Sequence, residues 1–119
     1  LLIGATTLSA EKVVNLIHKF NGLAIASHVD KQVFGIFSQL GFIPETLKLD
    51  ALEISKRSNL KTVLEKFPGC ESFPLITSSD AHFLSDIGTV FTEFLMAKAS
   101  FDELRKAIFG LEGRKILKN

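Results

Sequence analysis

The sequence has 119 residues, enough for one domain and too few for two. Hydrophobic residues make up 46% of it, charged residues 23%, and prolines number only 3, which excludes a disordered tail, a collagen-like repeat and a low-complexity linker. The formal net charge of +1 gives no electrostatic case for nucleic acid or an anionic membrane surface, and no apolar run approaches the roughly 18 residues that span a bilayer.

The ends of the sequence and its single cysteine bear on its origin. The chain begins at Leu1 and its only methionine is Met96, so we expect it to be a piece of a longer protein. The first residues lack the basic region of a signal peptide. Cys70 has no partner for an internal disulfide, which fits a reducing compartment. A cytoplasmic protein is therefore expected.

The first predicted unit is a helix followed by a strand. Ser9 is a suitable N-cap, because its hydroxyl can accept a hydrogen bond from a free backbone amide. Asn21-Gly22 gives a C-terminal stop, and residues 23–26 form a short apolar run typical of a strand covered on both faces. The apolar residues at helical spacing in between are Val13, Val14, Ile17 and Phe20.

The same alternation continues to the end of the chain. Two further helices are predicted, one capped by Asp30 and ended by Gly41, the other capped by Ser58 or Asn59. Strands are expected over residues 51–54, 73–77 and, with poorer alternation, 89–96. The last helix has a capping box, Ser100-x-x-Glu103. The helical stripes are Val33, Phe34, Phe37 and Leu40, then Leu60, Val63, Leu64 and Phe67, then Leu104, Ile108 and Leu111.

Strands that alternate with helices of about ten residues predict an α/β fold made of successive βα units on a parallel sheet. No change in composition divides residues 1–119, which we interpret as a single domain.

Polar residues follow three of the predicted strands. His28 comes after the first, Glu53 lies near the end of the second, and Asp80 and His82 come after the third. Function gathers at the carboxyl ends of parallel strands, so these side chains are expected at one edge. Residues i and i+2 of an extended segment point to the same side, which lets Asp80 and His82 converge on one ion. Imidazole with carboxylate suits Zn, Mn or Fe.

Simpler roles remain open for each residue. His28 could be a half-buried structural histidine, and Asp80 could cap the turn that follows it. Glu53 could bind a metal, orient a ligand, or form a salt bridge with Lys56 or Arg57. We expect His18 to be a surface or structural residue, Cys70 to be inert, and Phe83 to pack, with a substrate pocket as its alternative role. No glycine pattern predicts a nucleotide-binding loop.

Three stretches resemble the PHP (polymerase and histidinol phosphatase) superfamily. Residues 21–31, Asn-Gly-Leu-Ala-Ile-Ala-Ser-His-Val-Asp-Lys, are similar to its Gly-Gly-x-x-x-x-Ala-His-Pro stretch, with Val29 where the family commonly has proline. Residues 50–54 resemble its strand with a central glutamate, and residues 78–82 its Ser-Asp-x-His motif. The segment 101–114 looks like the family's terminal helix.

The resemblance implies that this chain is the C-terminal part of a distorted (βα)7 barrel whose N-terminal half is absent. It further implies a cluster of divalent metals (Zn, Mn or Fe) in the full-length protein and hydrolysis of phosphate mono- or diesters by metal-activated water. By position, His28, Asp80 and His82 match metal ligands, and Glu53 matches a position that we place behind the ligands. Lys31 is a weaker candidate for a phosphate contact.

The expected substrate is a phosphorylated small molecule or a nucleotide. The family's upstream His-x-His motif has no counterpart in the sequence, so we expect these 119 residues alone to bind no metal cluster and to show little activity. An incomplete barrel also exposes sheet edges, which favours self-association. The alternative is a non-catalytic PHP-like scaffold or regulatory module of a larger protein.

Overall fold

A computed structural model describes residues 6–32, 35–55 and 58–118. Four α-helices are present in these ranges: α1 (Ala10–Lys19), α2 (Ile36–Leu40), α3 (Leu60–Lys66) and α4 (Phe101–Phe109). The strands are β1 (Ile25–Ala26), β2 (Ala51–Ile54), β3 (Leu75–Thr77), β4 (Glu93–Leu95) and β5 (Lys115–Lys118). None of the described helices is long and apolar enough to cross a membrane.

The first three strands form a parallel sheet in the order β1-β2-β3. In its register Ala26 lies beside Leu52, and Ile54 lies beside Thr77. The predicted parallel α/β arrangement is thus confirmed for this part of the chain. A (βα)7 barrel is not shown by the described residues.

The fourth predicted strand joins a different sheet. Residues 89–96 were expected to continue the parallel order, but β4 pairs antiparallel with β5, a strand that the sequence analysis did not predict. Phe94 lies opposite Ile116, and α4 connects the two strands. The C-terminal segment therefore forms a β4–α4–β5 unit of its own.

The core lies around the parallel sheet. Strand β2 is at its centre, with Leu52 and Ile54 fully buried. The buried side chains form two clusters, of which the larger includes these two β2 residues. In it, Phe37 stacks on Phe67 with their ring centroids 4.9 Å apart. The buried members are Val29, Phe37, Leu52, Ile54, Val63 and Cys70 in the larger cluster, and Val14, Ala24 and Leu47 in the smaller.

Two predicted helix caps are confirmed. The Ser9 side chain accepts from the amide of Lys12, and the Ser100 side chain accepts from the amide of Glu103. For α3 the cap is Asn59, since its side chain accepts from the amides of Lys61 and Thr62.

The cap predicted for the second helix is wrong. Helix α2 begins after Gly35, not after Asp30, and Val33 and Phe34 lie outside the described residues. The Asp30 carboxylate instead accepts hydrogen bonds from the amide of Ser55, at 2.8 Å, and from the hydroxyl of Ser58. It therefore joins the segments that follow β1 and β2. The predicted end of the helix at Gly41 is confirmed, because this residue takes up the left-handed conformation there.

Candidate functional site

The candidate site lies at the carboxyl edge of the parallel sheet, the edge where β1, β2 and β3 end. Because the strands are parallel and in register, the segments that follow them leave the sheet on the same side. We refer to this region, with His28, Lys31, Glu53, Asp80 and His82, as the carboxyl edge. The largely buried strand β2 lies at the centre of this edge.

His28 leaves the sheet two residues after β1. Its backbone has a φ of 32°, in the left-handed region that non-glycine residues seldom occupy. The next amide, of Val29, donates to the carbonyl of Glu53 at 2.9 Å. A proline, which the related motif commonly has at this position, could not make this bond, because it has no N–H. The Val29 amide thus ties the loop that carries His28 to β2.

The His28 side chain has a buried nitrogen with an unused hydrogen-bonding capacity. Its Nδ1 atom is buried and has no hydrogen-bond partner among the described residues. A buried polar atom without a partner costs about 1–3 kcal/mol, so such atoms are uncommon and need a physical reason. A ligand bound at the carboxyl edge would supply one.

Glu53 is hydrogen-bonded to the segment after β3. The Ser78 hydroxyl donates to Oε1 of Glu53 at 2.8 Å. This contact connects β2 to the turn that precedes Asp80. Three roles were left open for Glu53. The contact with Ser78 fits the role in which the Glu53 carboxylate orients the segment that carries the candidate ligands. Lys56 and Arg57, the expected salt-bridge partners, lie outside the described residues.

Asp80 is the polar centre of the edge. Its Oδ2 atom accepts from Nζ of Lys31 at 2.7 Å, and its Oδ1 atom lies 3.7 Å from Nε2 of His82. The His82 side chain is 76% exposed, so it stands at the rim. The Asp80 backbone has a φ of 47°. Asp80 and His28 thus both have the left-handed backbone conformation, which costs about 1–2 kcal/mol in a non-glycine residue.

The electrostatics of the edge favour an ionised Asp80. The hydrogen bond from Lys31 holds the pKa of the Asp80 carboxyl below its usual value. Burial acts in the opposite direction, while electrostatic interactions with Lys31, His82 and His28 lower the pKa of Asp80 further. An ionised carboxylate is the form that binds a cation.

The fit of a metal to these residues is partial. Two imidazoles and a carboxylate are donors that Zn, Mn or Fe accept. The Nδ1 of His28, which has no partner in the part of the chain that the structure describes, and the ionised Asp80 agree with such a role. Within the described ranges, however, no group of three or more His, Cys, Asp or Glu side chains is arranged to hold a metal ion. The structure brings Asp80 together with Lys31 and His82, and the ligand assignment of His28, Asp80 and His82 stays a prediction.

Two residues that organise the edge were not found from the sequence. The amide of Thr77 donates to the Thr92 hydroxyl, which in turn donates to the Thr77 carbonyl, both at 2.8 Å. Asp86 accepts from the amides of His82 and Phe83 at 3.3 Å and so folds the segment after Asp80. Threonine and aspartate are common in loops, and neither carries a sequence signal for these contacts.

The opposite edge of the sheet contains a cleft of about 620 Å³. His18 lies there, with its Nε2 atom 2.8 Å from Oδ2 of Asp50, which also accepts from the amide of Ala24 at 2.6 Å. The structural role expected for His18 agrees with this contact. Cys70 is fully buried, and burial raises the pKa of its thiol to about 11, with the charges of Glu71 and Asp30 adding to the effect. An uncharged, buried thiol is chemically inert, as expected.

Comparison with known proteins supports the resemblance drawn from the three motifs. Residues 71–109 match a family model described as PHP-associated, and this segment includes Asp80 and His82. The uncharacterized protein YqxK from Bacillus subtilis (strain 168) is 29% identical over 119 aligned residues, which are 96% of this chain and 30% of that protein.

Two solved structures have the same fold over most of the chain. One is the lesion-specific endonuclease PfuEndoQ from Pyrococcus furiosus, with 25% identity and a TM-score of 0.74 over 92% of this chain and 28% of that one. The other is endonuclease Q in complex with a 27-mer duplex that has an abasic lesion at the active site. Its identity is 24% and its TM-score 0.81, over 92% of this chain and 29% of that one. The chain therefore spans less than a third of the relatives it matches. Over most of its length it shares the fold of part of endonuclease Q, and over residues 71–109 it resembles the PHP-associated family.

Proposed function

We propose that the chain is part of a PHP-type, metal-dependent phosphoesterase and that its carboxyl edge forms part of the metal site. The observation that carries the proposal is the placement of His28 and Asp80. His28 follows β1 and Asp80 follows β3, so both leave the same edge of one sheet. Both have a left-handed backbone, and the buried Nδ1 of His28 lacks a partner among the described residues. Strained backbone and unused polar groups concentrate at functional sites.

In this proposal His28, Asp80 and His82 hold a divalent ion of Zn, Mn or Fe, together with donors from other parts of a longer protein. A bound metal would lower the pKa of a water to about 7 and so supply a hydroxide at neutral pH. Glu53 orients the Asp80 segment through Ser78. Lys31, whose ammonium contacts Asp80, is the proposed contact for a phosphate oxygen.

The substrate that we infer is a phosphodiester in nucleic acid. Endonuclease Q shares this fold and has been seen with a duplex bearing an abasic lesion. Phe83, three positions after Asp80, is 75% exposed, and Phe91, which precedes the Thr92 that contacts the end of β3, is 61% exposed. Exposed aromatic rings next to a phosphate-binding site can stack on bases, which a small phosphate monoester does not require. Because the net charge of this chain is low, most of the electrostatic attraction for the phosphate backbone of the nucleic acid would come from the rest of a longer protein.

The test is Mn²⁺- or Zn²⁺-dependent cleavage by the full-length protein, assayed on a duplex with one abasic site and on a small phosphate monoester. Asp80→Ala is expected to lower duplex cleavage by more than about a hundredfold, since it removes a proposed ligand. Asp102→Ala, at an aspartate whose side chain is 73% exposed on α4, is the matched control and should retain activity. Undiminished cleavage by Asp80→Ala would remove the assignment.

A non-catalytic scaffold is the second candidate. One observation favours it, namely that no three-donor metal group is present within the described ranges. If the protein is a scaffold, the full-length protein should bind no Mn²⁺ or Zn²⁺ and should hydrolyse neither substrate. If it is the proposed enzyme, it should bind the metal and cleave the duplex. The same assay therefore separates the two functions.

A further inference from the structure

The cleft at the edge of the parallel sheet where the strands begin has the size of a small-molecule site. Its volume of about 620 Å³ lies within the range of about 300–1,000 Å³ that such sites occupy. Two segments contribute most of its lining, residues 42–50 before β2 and residues 68–73 before β3. We call it the amino-edge cleft. None of the five residues of the carboxyl edge lines it, so it is a separate candidate site.

Backbone hydrogen bonds and buried side chains hold both lining segments in place. In the first, the amide of Leu47 donates to the carbonyl of Pro44 at 2.9 Å, and the Leu47 side chain is buried in the core. In the second, the amide of Phe73 donates to the carbonyl of Cys70 at 3.1 Å, and Cys70 is fully buried. The fold itself therefore fixes the walls of the cleft, and such preorganisation reduces the entropic cost of binding a ligand.

The lining offers aromatic and aliphatic surface to a flat ring. Phe42 lines the cleft from the first segment and is 62% exposed, and Phe73 lines it from the second. Pro44 and Pro68 add rigid apolar surface. Aromatic side chains favour stacked contacts with a second ring, and these contacts add to the gain from burying apolar area. A planar ring is thus the ligand shape that the lining favours.

A polar pair in the cleft has a fixed orientation. His18 lines the cleft, and its Nε2 atom lies 2.8 Å from Oδ2 of Asp50, which also accepts from the amide of Ala24 at 2.6 Å. A neutral imidazole that donates from Nε2 accepts at Nδ1. The contact with Asp50 therefore leaves Nδ1 of His18 as an acceptor for an N–H group of a ligand.

The charges around the cleft disfavour an anionic ligand. Asp50 and Glu45 both contribute carboxylates to the lining. Among the described residues that line the cleft, Lys48 is the only lysine or arginine. A phosphate group would therefore meet more negative than positive charge, whereas a neutral ligand avoids this repulsion.

From these features we propose that the amino-edge cleft binds a neutral, amino-bearing heterocycle of the purine nucleoside class. The ring of the ligand stacks on Phe42, and its exocyclic N–H group donates to Nδ1 of His18. The inference goes beyond the proposed function and depends neither on a metal nor on the carboxyl edge.

The probe for this site is adenosine, titrated into the full-length protein with EDTA present so that no metal contributes. The NMR signals of the nucleoside report binding. Phe42→Ala is expected to raise the Kd for adenosine at least about fivefold, because it removes the stacking surface. Phe20→Ala is the matched control, since Phe20 is 79% exposed and does not line the cleft. Circular dichroism confirms that each variant is folded.

Two further comparisons test the polar pair and the charge of the cleft. His18→Gln can still donate to Asp50 but has no counterpart of Nδ1, so the Kd for adenosine should rise at least about threefold. Adenosine 5′-monophosphate adds a phosphate to the same ring system. It should bind more weakly than adenosine, because the lining holds more carboxylates than ammonium groups.

Weaker adenosine binding by Phe42→Ala, with Phe20→Ala and Phe83→Ala unchanged, would support the proposed site. An absence of adenosine binding to the wild type, or equal binding by the wild type and Phe42→Ala, would overturn it. Loss of binding in Phe83→Ala alone would place the nucleoside near the carboxyl edge and would also overturn it. Tighter binding of the monophosphate than of adenosine would contradict a site for a neutral ligand.

Discussion

The carboxyl edge of the parallel sheet and the β4–α4–β5 unit use their charged side chains in opposite ways. In the C-terminal unit both carboxylate oxygens of Glu103 are hydrogen-bonded. Oε2 accepts from Nε of Arg114 and from the amide of Ala97, both at 2.8 Å, and Oε1 accepts from Nη2 of Arg114 at 3.2 Å. At the carboxyl edge the buried Nδ1 of His28 has no such partner within the described residues.

This difference separates two kinds of polar cluster. Glu103 is 5% exposed and fully satisfied by the residues around it, so the cluster holds α4, β5 and the segment before α4 together and needs nothing else. The carboxyl edge combines a buried atom that has no hydrogen-bond partner among the described residues with two strained residues, His28 and Asp80. Such unfavourable contributions to the free energy of folding persist at sites where a bound ligand offsets them. We therefore propose that the function lies at the edge and that the C-terminal unit has a structural role.

The largest effect is expected at Gly35, which supports the edge. Gly35→Ala would place a methyl group against two backbone carbonyls that cannot move aside, at a cost of about 2 to 3 kcal/mol in the free energy of unfolding. The matched control is Gly41→Ala, where a Cβ meets nothing within 4 Å and only the left-handed backbone is unfavourable. This control should cost about 1 kcal/mol. Urea unfolding of both variants measures the difference, and equal losses would show that the loop after β1 is not held by Gly35.

A smaller effect, restricted to acid, is expected in the C-terminal unit. The hydrogen bond from Arg114, aided by the amide of Ala97, lowers the pKa of Glu103 from 4.5 to about 2, with burial opposing and the charges of Arg114 and Lys106 adding to the shift. A lowered pKa in the folded state stabilises the protein above the unfolded value, and this stabilisation is lost as the pH falls from 4.5 towards 2.

Glu103→Gln tests this directly, because an amide does not titrate. Denaturant unfolding at pH 7 and pH 3 should show a smaller acid-induced loss for this variant than for the wild type. The control is Glu65→Gln, at an exposed position of α3. An unchanged pH dependence in Glu103→Gln would mean that the Glu103–Arg114 pair does not set the acid stability of the unit.

The features that the sequence predicted well are local ones. The bounds of β2, the Ser9 and Ser100 caps and the end of α2 at Gly41 all depend on residues within a few positions of one another. The placement of polar residues after β1 and β3 also followed from the pattern, because parallel strands must end at one edge.

The features that the sequence did not predict depend on distant partners. Aspartate is a common helix N-cap, yet the Asp30 carboxylate accepts hydrogen bonds from Ser55 and Ser58, which follow the neighbouring strand β2. The capping box at Ser100 forms only in part, since the Glu103 side chain accepts from Ala97 and Arg114 instead of returning to the cap. β5 is short and half its residues are lysines, so only its pairing with β4 identifies it as a strand. The contact of Lys31 with Asp80 has the same long-range origin.

The most direct test of the account compares the two clusters by metal binding. Asp80→Asn and Glu103→Gln each replace one carboxylate by an amide of the same shape, one at the carboxyl edge and one in the C-terminal unit. Equilibrium dialysis of the full-length protein against Zn²⁺ and Mn²⁺ should show affinity reduced by at least about tenfold in Asp80→Asn and unchanged in Glu103→Gln. Wild-type affinity in Asp80→Asn, or an equal loss in both variants, would contradict a metal site at the carboxyl edge.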